Sequence, residues 1–597
     1  METQKYSVNQ HLIETILTWV KSGEIAIPEI QRPFVWDKTK VRNLIDSLYK
    51  GYPVGYLIAW RNPSTRLKDG SSAEGKKILI DGQQRVTAMA AAILGECVVD
   101  NDYKRIKIQI AFHPIEERFE VCNPAIEKDT SWIPDISQVI QGSGLLKLIH
   151  NYKDLNQSVD ESIIENSLEK LRNIVKRQIG MIELAGELDI ETVTEIFVRI
   201  NSEGVVLSQA DFAMSRIAAT EKYDGSDVRK FVDYFCHLCV HPEFYLQLSD
   251  IDNHFTKSDY FSHLDWLKNE KDDLYDPDYK DMLRVAFTSE FERGKLSDFV
   301  ALLSGRNFEA RTYEERIIAD TFKRLKEALL GFANETNFKR FLMIIRSTGF
   351  IDRALIRSKS TVNFGYIVYL KLKSLNYSPE KIERFVRKWF VLSILTGRYS
   401  SSAESQMDFD IKAIKEKTFE KYLEDVEKAE LSDAFWNASL IQKLNTSVAS
   451  SPYFNVYLAS QVKSKDKGFL SRDITVSDLI THRGDIHHIF PRNLLKKNGL
   501  ERGKYNQIAN YVYMQSETNI KIGDKEPKKY FSEILTSINN GNMVYGAITD
   551  ESNFYKNLKE NCIPKEAVEY KAEDYETFLE KRRKLIAEKI EKYYKGL

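Results

Sequence analysis

Cysteine is scarce in this chain: five in 597 residues, at positions 97, 122, 236, 239 and 562. An odd, scattered set of that size excludes a disulfide framework. Long apolar runs are missing too, and without eighteen consecutive apolar residues a membrane span is not expected. Met1-Glu2-Thr3-Gln4-Lys5 lacks the charged-then-apolar pattern of a leader, so the cytoplasm is the expected compartment. Net charge is almost absent, 86 Lys and Arg against 87 Asp and Glu, and there is no internal repeat or low-complexity tract. What remains is the composition of a globular chain, 43% hydrophobic and 29% charged, too long for one core. Cys236-His237-Leu238-Cys239 with His241 has half the spacing of a zinc site, but no second cysteine pair completes it. The neighbouring Phe235, Leu238 and Phe244 favour a core helix instead.

Along the front of the chain, the spacing of Leu12, Ile13, Ile16, Leu17 and Val20 predicts a helix over 10–22. Ile25 to Trp36 reads as a short strand entering a Pro-bracketed loop, with Asp37 capping a helix over 40–49. Strands are expected over 54–60 and 77–80. The second delivers Asp81-Gly82-Gln83-Gln84-Arg85 to the start of an apolar helix ending at Leu94. Gly82 permits a tight strand-to-helix turn, and a helix N-terminus offers free N–H groups to an anion. Arg85 is placed to fork onto phosphate oxygens, and Asp81 to hold a metal or orient a water. From about residue 224 to 443 the pattern is helical throughout, including 279–291, 313–334, 364–373 and 378–395.

Near the other end stands Asp485-Ile486-His487-His488-Ile489-Phe490-Pro491, followed by Asn510, Asn519 and Pro527. On an extended strand His487 and His488 point to opposite faces, so one can hold a metal while the other meets a substrate. A helix bearing Asn519 would close such a site with a neutral oxygen ligand, an arrangement suited to phosphodiester hydrolysis. Between His482 and Lys529 ten Lys and Arg face five acids, a basic surface suited to a polyphosphate track.

The His487-His488-Ile489-Phe490-Pro491 run, with Asn510 and Asn519 nine apart, resembles the HNH (ββα-metal) nucleases. The resemblance implies that His488 is the general base, that His487 and Asn519 are metal ligands with Asp485 as a further one, and that Asn510 braces the loop. His487 stands where many members have Asp. The segments 27–36, 81–85 and 197–211 together resemble the GmrSD-type restriction enzymes, whose relatives include BrxU and SspE and whose first domain is ParB/sulfiredoxin-like. By that resemblance Asp81, Gly82, Gln83, Gln84 and Arg85 bind and hydrolyse a nucleotide, with Asp81, Gln84 and Arg85 catalytic. Gln31, Arg32, Arg199 and Asn201 line the same pocket. Glu203 replaces a glycine usual in the family.

The resemblance implies a multidomain α+β chain: a nucleotidase over 1–222, a helical spacer over 223–445 and a nuclease over 446–597. Its expected cofactors are Mg²⁺ or Mn²⁺ and a nucleoside triphosphate, with GTP, ATP, UTP and CTP undistinguished. Its expected partner is modified DNA, with control through a dimer or domain rearrangement and no membrane association. The expected activity is nucleotide-regulated cutting or nicking of phage DNA. Two alternatives are a nucleotide-switched ParB-like binding factor with an idle nuclease domain, and an RNA-cleaving abortive-infection effector. Gly397-Arg398-Tyr399-Ser400-Ser401-Ser402 reads equally as a helix stop and as a DNA-backbone contact. The helix over 574–594 reads as a brace, in which Lys581-Arg582-Arg583-Lys584 could also touch phosphate.

Overall fold

The computed structural model describes residues 5–26, 36–61, 77–99, 105–142, 144–186, 188, 192, 208–482, 484–541 and 545–597. The architecture is α+β. The chain divides into two compact units, residues 1–230 with 300–319, and residues 231–299 with 320–597.

In the first unit a mixed five-stranded sheet has the order β1 (Tyr6–Leu12), β9 (Gln178–Leu184), β3 (Leu57–Arg61), β4 (Lys77–Asp81), β2 (Ile25–Ala26). Two short hairpins, β5–β6 (Cys97–Val99, Arg105–Lys107) and β7–β8 (Ile110–His113, Arg118–Val121), stand apart from it. β4 runs parallel to β2 and antiparallel to β3, and a register shift between Ile58 and Ala59 sets Ile58 opposite Asp81. Helices α1 (Ile13–Ser22), α2 (Lys38–Lys50) and α3 (Gln83–Leu94) share one core with the sheet, built on Ile16, Ile45, Leu57, Leu79, Met89 and Met181. α3 is buried along most of its length because Ala88, Ala90, Ala91 and Ala92 carry too little bulk to hold neighbours off.

The helix expected from residue 10 begins at Ile13 instead. Residues 6–12 pair in register with all seven residues of β9, Tyr6 with Leu184 through Leu12 with Gln178. Pairing of a whole strand outweighs three residues of helical periodicity, as tertiary context does for weak local preferences. α3 starts three residues before the expected Val86, with Gly82 as its N-cap.

The second unit is helical apart from one two-stranded sheet. The helix expected over 279–291 spans Tyr279–Phe291, begun by Asp278 in a reciprocal cap with Asp281. The helix read over 364–373 extends to Lys359–Ser374, and Thr361, Val362, Asn363, Phe364, Gly365 and Tyr366 are all buried. It carries polar groups inward because they are matched: Asn363 donates to Asp281 at 2.7 Å and accepts from the Tyr275 hydroxyl at 2.7 Å. Cys236 and Cys239 lie on the helix Gly225–Val240 beside buried Phe235 and Leu238, and burial pushes both thiols up, as fits core cysteines. Among the described residues no helix is long and apolar enough to cross a membrane.

Candidate functional site

Two strands and a helix carry the histidine motif. β10 (Ile486–His488) pairs antiparallel with β11 (Tyr511–Tyr513), His487 opposite Val512 and His488 opposite Tyr511; the helix Ser516–Ile522 follows at once. The sharp bend after β10 is fixed by Asn510, which is fully buried. Its side-chain oxygen accepts from the Phe490 N–H at 2.8 Å, and its amide donates to the Phe490 carbonyl at 3.0 Å and the Tyr505 carbonyl at 3.4 Å. The Tyr530 hydroxyl donates to the carbonyl of Ile489 at 3.1 Å, and the Ile489 N–H donates to the Asn510 carbonyl at 2.9 Å. Phe490, packed against Tyr575 and Phe578, anchors the bend in the core.

The two imidazoles differ in surroundings. His488 meets the ring of Tyr511 edge-on, centroids 5.1 Å apart, and its Nε2 lies 3.0 Å from the side-chain oxygen of Asn506. Burial lowers its pKa; the Asn506 bond opposes that shift, while the Arg492 and His487 charges add to it. His487 is half-buried, and among the described residues its solvent-inaccessible Nε2 has no hydrogen-bond partner. Burial lowers its pKa too, partly offset by Asp485, which favours the neutral ring. Asp485 is exposed beside it, and Asn519 sits partly buried on the helix Ser516–Ile522. An orphaned neutral imidazole with a carboxamide and a carboxylate nearby in the motif is a donor set compatible with a divalent cation. Among the described residues, no three His, Cys, Asp or Glu side chains gather as a candidate metal cluster. Of the basic residues around the motif, Lys497, Lys525 and Lys528 are paired with Asp524, Glu533 and Glu569 at 2.7–3.0 Å.

At the front motif β4 ends on Asp81 and α3 begins after Gly82, whose φ of +91° suits glycine. A Cβ there would stand 2.3 Å from Cδ2 of Leu57, so the turn also needs the missing side chain to pack. Arg85 does not reach outward: Nη2 binds Asp81 Oδ2 at 2.6 Å and Nη1 donates to the Val54 carbonyl at 3.1 Å. The guanidinium thus clasps the segment before β3 to the end of β4, and Gly55 (φ +85°) makes room for it. Gln83 folds back to donate to the Leu79 carbonyl at 3.0 Å, while Gln84 is partly buried. Gly82, having no side chain, gives the first turn of α3 no N-cap hydrogen bond. Gln31, Arg32, Arg199 and Asn201 lie outside the described residues.

In the two segments read as possible phosphate contacts the arginines turn inward, while Lys581 and Lys584 stay exposed. Arg398, 6% exposed, binds Asp410 through two nitrogens at 2.6 and 2.8 Å and also reaches Glu430. Tyr399 and Tyr422 donate to the same Asp410 at 2.6 and 2.7 Å, so the helix-stop reading of 397–402 holds and the two long side chains are not offered to DNA. Arg582 is fully buried and donates to the carbonyls of Ala509 at 2.8 Å and Asn561 at 3.1 Å, while Arg583 donates to Gln507 at 3.2 Å. Sequence reasoning missed Asn506, Val54 and Asp410, which follow no spacing rule and are set by folding alone.

Residues 13–218, which hold four of the sheet's five strands, the clasped Asp81–Arg85 turn and α1 to α3, match the family model for the GmrSD restriction endonuclease, N-terminal domain. That match relates residues 13–218 to the N-terminal domain of the GmrSD restriction endonucleases. Across nearly its whole length the chain is also similar to the uncharacterized protein MJ0686 of Methanocaldococcus jannaschii. The two are 23% identical over 637 residues, covering 97% of this chain and 98% of that protein.

Proposed function

We propose that this protein is a nucleotide-regulated, metal-dependent DNA endonuclease of the GmrSD type that nicks or cuts modified phage DNA in bacterial defence. Residues 1–222 serve as a ParB-like nucleotidase, 223–445 as a helical spacer and 446–597 as an HNH nuclease. The observation that carries the reading is the His488 ring held by Asn506 and Tyr511, one residue on from His487, whose Nε2 has no hydrogen-bond partner among the described residues.

In the proposed reaction His488 takes a proton from water as the water oxygen attacks phosphorus. The bond from phosphorus to the leaving sugar oxygen breaks, and that oxygen takes a proton from solvent. His487, Asn519 and Asp485 would hold the divalent ion, which when bound supplies electrostatic stabilisation of the charge building on the phosphoryl and leaving oxygens. Asn510 keeps the bend after His488 from relaxing. At the front, Asp81 and Gln84 act on a nucleoside triphosphate whose phosphates meet the α3 N-terminus, and Arg85 holds Asp81 in place. Nucleotide state controls cleavage through a dimer or domain rearrangement.

The test incubates the protein with plain DNA, modified phage DNA or RNA, each with Mg²⁺ or Mn²⁺ and with or without nucleotide. Cleavage of modified DNA that His488→Ala abolishes, with nucleotide turnover retained, is the expected result. Asp81→Ala should instead stop nucleotide hydrolysis. Cleavage by His488→Ala at the parental rate would refute the nuclease assignment.

A further inference from the structure

Resting on that reading of His488, we infer that Asn506 is a positioning residue that holds the His488 ring as its Nε2–H tautomer, so that Nδ1 receives the proton from water. The Asn506 side-chain oxygen faces Nε2 at 3.0 Å, and an oxygen in that place accepts, so Nε2 carries the hydrogen and the lone pair falls on Nδ1. Tyr511 closes one side of the same ring with an edge contact, so rotation out of this pose would break two contacts.

Asn506 can impose the tautomer because it is itself held. Its N–H donates to the Arg502 carbonyl at 3.2 Å. On one side the Tyr505 carbonyl receives the Tyr575 hydroxyl at 3.1 Å and the Asn510 amide at 3.4 Å. On the other, Gln507 binds Arg583 at 3.2 Å and the Gly503 carbonyl at 2.8 Å, and the Ile508 N–H donates to Thr446 at 2.9 Å. Among the described residues the Asn506 side chain makes no other hydrogen bond, which separates its role from that of Asn510. Asn510 shapes the backbone bend, whereas the Asn506 side chain bonds to the ring. The proton balance follows: water gives one proton to Nδ1, its oxygen bonds to phosphorus, and the resulting imidazolium keeps Nε2–H on Asn506 until Nδ1 is discharged to solvent.

Two readouts test this. In metal-free protein carrying ¹⁵N-labelled histidine, with His488→Gln used for assignment, His488 should show a bare Nδ1 and a protonated Nε2. Asn506→Leu should give a mixture of tautomers and lower kcat about 10- to 100-fold with KM little changed, the usual cost of removing a histidine's orienting partner. Asn506→Asp, which keeps an acceptor oxygen in the same place, should restore both the single tautomer and most of kcat. A proton on Nδ1 of the parent, or parental kcat in Asn506→Leu, would overturn the inference. If His488→Ala is dead while Asn506→Leu is fully active, only this inference fails. If His488→Ala cuts, the nuclease reading fails with it. The labelled spectrum decides the tautomer even for a variant that folds poorly, because it is read first on the parent.

Discussion

Replacing Arg398 by Met removes a charge that meets Asp410, a carboxylate with no exposed surface. Asp410 keeps three donors, from Tyr399, Tyr422 and Gln406, but loses its only positive partner among the described residues. Stranding one partner of a buried pair costs about 3–5 kcal/mol. The cost is therefore expected within that range. Adding Asp410→Asn to Arg398→Met should recover much of the loss, since no charge is then stranded. A chain with two units need not unfold in one step. The assay is therefore hydrogen exchange of the helices Pro379–Thr396 and Ala403–Glu416 at neutral pH. Unchanged protection in Arg398→Met together with weakened DNA binding would refute the argument and return the segment to the phosphate-contact reading.

Gly55→Ala should cost about 1 kcal/mol or more at its positive φ, and its Cβ would lie 2.5 Å from Nη1 of Arg85. The clasp on Val54 should open, seen as faster exchange of residues 52–60 and slower nucleotide hydrolysis; parental behaviour in both would remove the clasp from the account. Asp135, 4% exposed, is pushed up by burial but held below the usual carboxylate range overall by Lys107 at 2.7 Å and by Ser137. A carboxyl with a depressed folded pKa adds stability that is present above its unfolded value and lost as pH falls through the folded one. Lys107→Ala should therefore move the acid-unfolding midpoint of the first unit to higher pH, and an unmoved midpoint would argue against this coupling.

Much of the fold was legible because its signals are local. A cap such as Asp37 and an apolar face such as that of 279–291 are short-range features, and the helices they mark are present. β1 was not legible, since its residues become a strand only through β9, more than 160 positions away. At the candidate site, the resemblance to the HNH nucleases pointed to Asn510, and its side chain bonds to both backbone groups of Phe490. Arg85 was read as reaching outward, yet its nitrogens turn inward, because Val54 and Gly55 come from a separate strand approach that spacing does not encode. Arg398 shows the same limit. A cation seen without its carboxylate looks like a surface group until the fold brings residue 410 to it.

The helix Tyr575–Lys595 secures a loop made some seventy residues earlier: Tyr575 holds residue 505, Arg583 holds 507 and Arg582 holds 509. A ribosome still translating residue 550 has therefore already released both histidines, but not the clamps that fix the segment beside them. During synthesis the proposed hydrolytic centre is expected to stay slack until those clamps emerge, a built-in delay between making its histidines and fixing the segment beside them.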